Sequence, residues 1–140
     1  MQSSLGLSRQ FGKHMAVDFK GSDYVDCPET ITRFVDDLVK DLKMTKYQGL
    51  HLMKFGEDPR VAGYSFFQLI MESNISGHLC SEDCMLEGVD ESGKAYAYNN
   101  KGSGYVDIFS CKPYEAQTAI DCIERHFKPK SIVFHETDRI

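Results

Sequence analysis

The stretch Glu29-Thr30-Ile31-Thr32-Arg33-Phe34-Val35-Asp36-Asp37-Leu38-Val39-Lys40-Asp41-Leu42-Lys43-Met44 decides the fold class. Its apolar residues Ile31, Phe34, Val35, Leu38, Val39 and Leu42 recur at three- and four-residue intervals, which puts them on one helix face. Asp26 and Glu29 stand just ahead at the spacing of a capping box. A helix with one apolar stripe has to bury it, and the segments on either side are candidates to receive it. Toward the C-terminus a second stripe, Ala116, Ala119, Ile120, Ile123 and Phe127, predicts a helix between Pro113 and Phe127. Its proline lies near the start, where a missing N–H costs least.

Around these helices lie short apolar runs rich in β-branched and aromatic residues: Met15 to Phe19, Leu50 to Phe55, Gly63 to Met71, Tyr105 to Cys111, and Ser131 to His135. Each is bounded by Gly, Pro, Asp or Asn and reads as a strand. The order of strand, helix, several strands, helix, strand predicts an α+β two-layer sandwich, a mainly antiparallel sheet with both helices on one face. A chain of 140 residues with 41% apolar content is enough for one core, so a single domain over residues 1–140 is expected. Between Glu82 and Gly104 the sequence is polar and turn-rich, the pattern of a hairpin or a mobile flap.

Charge narrows the function classes. The net charge is -5, and no Lys/Arg cluster is present to neutralise a phosphate backbone, so nucleic acid is not an expected partner. Met1 to Gln10 lacks the basic lead and apolar core of an export signal, and no segment approaches the roughly 20 apolar residues of a membrane span. A soluble, cytoplasmic protein is the expectation. Five cysteines, an odd number, are read as thiols. His78, Cys80 and Cys84 form the one compact metal-like grouping, but no second pair repeats its spacing, and no metal is expected.

Two segments remain as carriers of chemistry: Met71-Glu72-Ser73-Asn74-Ile75-Ser76-Gly77-His78, and Val106-Asp107-Ile108-Phe109-Ser110-Cys111. Taken singly, their residues have ordinary explanations as a turn serine, a structural histidine and a core thiol. Taken together with Gly12-Lys13-His14 and Ala62-Gly63-Tyr64-Ser65, they resemble the small bacterial and archaeal S-adenosylmethionine decarboxylases, over nearly the whole chain from about Gly12 onward. The resemblance implies a cleavage pair at Glu72-Ser73, a processing serine at Ser65, a processing histidine at His78, a catalytic cysteine at Cys111 and a substrate carboxylate at Glu82.

By that resemblance the cofactor is a pyruvoyl group made from Ser73 itself. Attack of the Ser73 hydroxyl on the preceding carbonyl gives an ester, β-elimination cuts the chain, and hydrolysis leaves a ketone, with residues 1–72 and 73–140 as products. Ser65 would stabilise the oxyanion and His78 would take the Ser73 α-proton. The ketone would form a Schiff base with the amine of S-adenosylmethionine and accept electrons as carbon dioxide leaves, and Cys111 would return a proton. The product is the aminopropyl donor for spermidine and polyamine synthesis.

Ser65 and Ser73 would lie roughly 26 Å apart along an extended run at about 3.3 Å per residue. Unless a bulge or turn intervenes, they cannot meet in one subunit. The family's solution is a homodimer with shared sites: Ser73 and Cys111 from one chain, Ser65, His78 and Glu82 from the other.

The chain departs from the compact family members at Leu79-Cys80-Ser81-Glu82, where they read Thr-Trp-Pro-Glu, and in its longer link from His78 to Cys111. Phe55 could offer an aromatic face to adenine. The lost tryptophan favours one alternative, a pyruvoyl-dependent decarboxylase of ornithine or arginine; an unprocessed binding or regulatory homologue is a second, of another class.

Overall fold

A computed structural model of the protein describes residues 11–139. The segment 1–10, read above as lacking an export signal, lies outside the described residues. Eight strands and two helices follow in the order β1 (Gly12–Lys20), α1 (Pro28–Asp41), β2 (His51–Phe55), β3 (Gly63–Ile70), β4 (Ser73–Cys80), β5 (Met85–Val89), β6 (Ala95–Asn99), β7 (Gly104–Ser110), α2 (Ala116–Phe127) and β8 (Ser131–Arg139). Six strands form one sheet in the order β2-β3-β4-β7-β1-β8, and β5 and β6 form a separate hairpin. Every ladder is antiparallel. This is the expected α+β two-layer sandwich.

Strand alternation gives the sheet two unlike faces. Met15, Val17 and Phe19 of β1, Phe66 and Ile70 of β3, Ile75 and Leu79 of β4, and Val106 and Ile108 of β7 join Ile31, Phe34, Val35 and Leu38 of α1 and Ala119, Ile123 and Phe127 of α2 in one buried core. Phe34 links the layers, with ring centroids 6.3 Å from Phe66 and 4.9 Å from Phe127. Fully burying such a side chain is worth about 1.5–3 kcal/mol.

The helix ends differ from expectation. Cys27, not Asp26, is the α1 N-cap, without a side-chain cap bond, and Pro28 opens the helix. Lys43 turns left-handed at φ 58°, and the N–H groups of Lys43 and Met44 bond the carbonyls of Lys40 and Val39 in a Schellman closure. Met44, the end of the expected helical segment, is buried beyond the helix end. Pro113 lies outside α2, where Tyr114 donates its hydroxyl to the Ile108 carbonyl at 2.8 Å and ties the connection to β7.

A strand absent from the sequence reading is β4, at the centre of the sheet. Ser73-Asn74-Ile75-Ser76-Gly77-His78-Leu79-Cys80 has little of the β-branched and aromatic content that marks strands. It pairs on both sides, and the Phe66 ring lies where a Gly77 side chain would go. Residues 82–104 hold the β5–β6 hairpin, whose turn is built on Asp90 Oδ1 accepting from the Ser92 and Lys94 N–H groups at 2.9 Å each.

Candidate active site

The β3–β4 hairpin turns through Met71 and Glu72, leaving Ile70 opposite Ser73. Thr45 braces this turn: its carbonyl accepts the Met71 N–H at 2.8 Å, and its N–H donates to Glu72 Oε1 at 3.1 Å. Ser73 then enters β4 with φ 150°, a region that L-residues rarely adopt. Such a backbone costs about 1–3 kcal/mol and persists only where its surroundings hold it. One of those holds is direct, since the Glu72 carbonyl accepts the Cys111 backbone N–H at 2.8 Å. Gly12 packs so closely on Cys111 that a β-carbon there would meet the Ser110 carbonyl and the Cys111 backbone. Glu72, Ser73 and Cys111 are thus brought together, and the Cys111 side chain is exposed.

Ser65 and His78 form a second group. They are register partners on β3 and β4, and Ser65 Oγ lies 2.7 Å from His78 Nδ1. The other ring nitrogen, Nε2, lies 2.5 Å from the Val61 carbonyl. Alternation sets this pair on the sheet face away from the helices, opposite in sense to Phe66, Gly77 and Leu79. On the neighbouring strand His78 pairs with Tyr105. Burial pushes the Tyr105 hydroxyl up to about 12, with the nearby Tyr98, Cys80 and Asp18 adding to the rise.

The two groups do not meet within one protomer. Ser65 and His78 stand level with each other five register steps from Ser73, about 17 Å along β4 at about 3.3 Å per residue. The separation is shorter than an extended run would give, because a turn at Met71–Glu72 does intervene and folds Ser73 back beside Ile70. That turn still leaves Ser65 and Ser73 apart.

Phe55, at the end of β2, is 48% exposed and lines a cavity of about 310 Å³ with Lys54, Glu57, Asp58 and Val61. Because Val61 also touches the His78 ring, this cavity adjoins the Ser65–His78 pair. Glu82 is exposed just beyond β4, in the turn leading to β5. Cys80 is buried and its thiol is pushed up by desolvation. Among the described residues no three His, Cys, Asp or Glu side chains gather into a metal-binding group. No described helix is long and apolar enough to cross a membrane.

Sequence reading missed the groups that act through their backbones: Thr45 at the turn, the Cys111 N–H on Glu72, and the Val61 carbonyl on His78. Any residue type supplies an N–H or a carbonyl, so composition holds no signal for them. Gly12 is the exception, because only glycine fits that contact.

The fold is an α+β two-layer sandwich that holds its candidate serines, histidine and cysteine in two separate groups. The structure is similar to the crystal structure of the adenosylmethionine decarboxylase of Aquifex aeolicus VF5, with a TM-score of 0.67 and 24% identity over 94% of this chain and 92% of that one. Comparison with curated protein sequences gives no match. The family model for S-adenosylmethionine decarboxylase matches residues 13–87 and 91–140, and the chain belongs to that family. It is accordingly an enzyme of the carboxy-lyase class.

Proposed function

We propose that the chain, one domain over residues 1–140, is a cytoplasmic proenzyme that cuts itself between Glu72 and Ser73. As a homodimer with shared sites it then decarboxylates S-adenosylmethionine to the aminopropyl donor of spermidine synthesis. The observation that carries this reading is the setting of the bond itself. A serine held at φ 150° follows a carbonyl already hydrogen-bonded by the Cys111 N–H at 2.8 Å. Breaking that peptide releases the backbone constraint, and the N–H is in position to stabilise an oxyanion on the Glu72 oxygen.

In the proposed reaction Ser73 Oγ bonds to the Glu72 carbonyl carbon, the C–N bond breaks and the nitrogen takes up a proton. A base removes the Ser73 α-proton, the Cβ–O bond breaks, and residues 1–72 leave as a carboxylate. Water then releases the nitrogen as ammonia. The pyruvoyl group left at position 73 supplies the electron sink for loss of carbon dioxide. Cys111, exposed and bonded through its backbone to Glu72, fits the role of proton donor to the substrate carbon.

Ser65 and His78 serve from a second copy. Their distance from Ser73 within a protomer supports this, as does the apolar character of the open sheet face, where Met53, Phe55, Phe67 and Val133 are 63%, 48%, 38% and 57% exposed. Glu82 and Phe55 of the same copy would hold the ribose and the adenine.

Intact mass of purified wild type beside Ser73→Ala tests the cut. Wild type should give two fragments, the second blocked to Edman sequencing, and the alanine variant should stay whole. Carbon dioxide release should follow addition of S-adenosylmethionine and not of ornithine or arginine. A wild-type chain that keeps an ordinary serine at position 73 would end the proposal.

A further inference from the structure

The geometry points to Asn100 as a positioning residue: from the base of the β5–β6 hairpin its amide holds the Arg60 carbonyl, fixing the adjoining Val61 carbonyl against His78 and so setting which ring nitrogen carries the proton. The consequence for catalysis rests on the role given to His78 above; the tautomer itself does not.

A backbone carbonyl can only accept a hydrogen bond, so the 2.5 Å contact from His78 Nε2 to the Val61 oxygen assigns the proton to Nε2. In the neutral ring Nδ1 then keeps its lone pair, and the Ser65 hydroxyl, 2.7 Å away, donates to it. Nδ1 is therefore the basic nitrogen, and it works through or beside Ser65. Were the Val61 carbonyl to move, either nitrogen could carry the proton. A ring protonated on Nδ1 cannot act as a base toward Ser65.

The Val61 side chain does not hold its own carbonyl, since it is 53% exposed. The surrounding turn does. Val61 N–H donates to the Asp58 carbonyl at 3.0 Å, and Arg60 N–H donates to Asp58 Oδ1 at 3.0 Å. Three successive carbonyls are taken by three different donors: Arg60 by the Asn100 amide, Val61 by His78, and Ala62 by the Ser81 N–H. Asn100 comes from forty residues along the chain and is only 2% exposed.

Its own backbone is fixed at both ends, N–H to the Cys84 carbonyl at 2.7 Å and carbonyl to the Ser103 N–H at 3.0 Å. Among the described residues its Oδ1 is buried with no hydrogen-bond partner. A buried amide left half-satisfied is costly; the Asn100 side chain also bonds the buried Cys80 of β4, and its contact with the Val61 turn is the one to the Arg60 carbonyl. The segment that lengthens the link from His78 to Cys111 thus has a rigid base tied to the histidine's support.

Nitrogen NMR of the full chain tests this. Ser73→Ala keeps the polypeptide whole, so the ring can be read independently of cleavage, with His78→Gln in the same background assigning the resonance. The Ser73→Ala protein should show His78 as the Nε2–H tautomer, and adding Asn100→Ala should produce a mixture of both. In the chain that retains Ser73, Asn100→Ala should slow the Glu72–Ser73 cut about tenfold, the upper effect of one neutral hydrogen bond. Asp58→Ala loosens the same turn from the surface, where folding is not at stake, and should shift the tautomer in the same direction to a smaller degree. An unchanged tautomer in the folded variants overturns the proposal. An uncut wild type would count against the function proposed above, and the spectra would still decide the role of Asn100.

Discussion

One face of the six-stranded sheet is closed by helices and the other is open, and the same strands build both. On β4, Ile75 and Leu79 point into the helix layer and are fully buried, while His78 between them faces the other way toward Ser65. On β7, Val106 and Ile108 are buried while Tyr105 is 37% exposed. The closed face is defined by volume and apolarity, and the open face by what it has to touch. The Ser65–His78 pair sits on the second, where no packed core fills the space in front of it.

That contrast is broken most severely by truncating an aromatic on each side. Phe34→Ala removes the ring that joins α1 to Phe66 and Phe127, and should lower unfolding free energy by about 3–5 kcal/mol. Phe67→Ala, on the open face, should cost less than about 1 kcal/mol in chemical denaturation at concentrations that keep copies apart. It should also weaken self-association in sedimentation. Equal losses in the two variants would mean that the open face is buried within each protomer.

Next in size are changes to the open-face pair itself. Ser65→Ala and His78→Gln should each slow self-cleavage by about 10²–10³-fold, the effect of deleting a stabilising donor or base. Their unfolding free energies should stay within about 0.5 kcal/mol of wild type. Time courses of fragment appearance beside denaturation curves check both halves of the statement.

How much of this was legible in the sequence follows the same division. The α1 and α2 stripes were readable because burial repeats at helical spacing, and Ile31, Phe34, Leu38, Ile123 and Phe127 are indeed in the core. β4 was not, because its open-face residues Asn74, Ser76 and His78 and its core-side Gly77 dilute the apolar signal to Ile75 and Leu79. Ser65, Glu72, Ser73, His78, Glu82 and Cys111 came through resemblance rather than pattern; the structure puts Glu72, Ser73 and Cys111 in one group and Ser65 with His78 in another, and leaves Glu82 and Phe55 outside both. The braces at Thr45, Val61 and Asn100 stayed hidden, since two act through the backbone and the third contacts a carbonyl forty positions away.

A smaller effect is expected where the two faces are stitched at the end of β7. Gly12→Ala puts a methyl group into the Ser110 carbonyl and the Cys111 backbone, so one strand has to shift. Overpacking of this kind costs about 1–3 kcal/mol. It should also pull the Cys111 N–H from the Glu72 carbonyl, so cleavage should slow in proportion to the loss of that hydrogen bond. A Gly12→Ala protein that cuts at the wild-type rate would show that this N–H does not contribute.

The smallest effect is expected in alkaline solution, where each face holds a group that resists ionisation. Within the helix layer, burial pushes the Cys122 thiol up to about 12 from its ordinary 9.0, with Asp41 and Asp37 adding and Arg125 opposing. On the open face, burial raises Tyr105 to about 12 from 10.0. Both folded values lie above the unfolded ones, so the unfolded chain releases these protons first as pH rises. The stability each group contributes is complete below its unfolded value and is lost progressively up to its folded value. Thermal midpoints should therefore fall from about pH 9 to about pH 12, with Cys122 acting first because its window opens one unit lower. Cys122→Ala should flatten the early part of that fall, and Tyr105→Phe only the later part. If Tyr105→Phe flattened the slope as early as Cys122→Ala, the two faces would not differ in the way their accessibilities indicate.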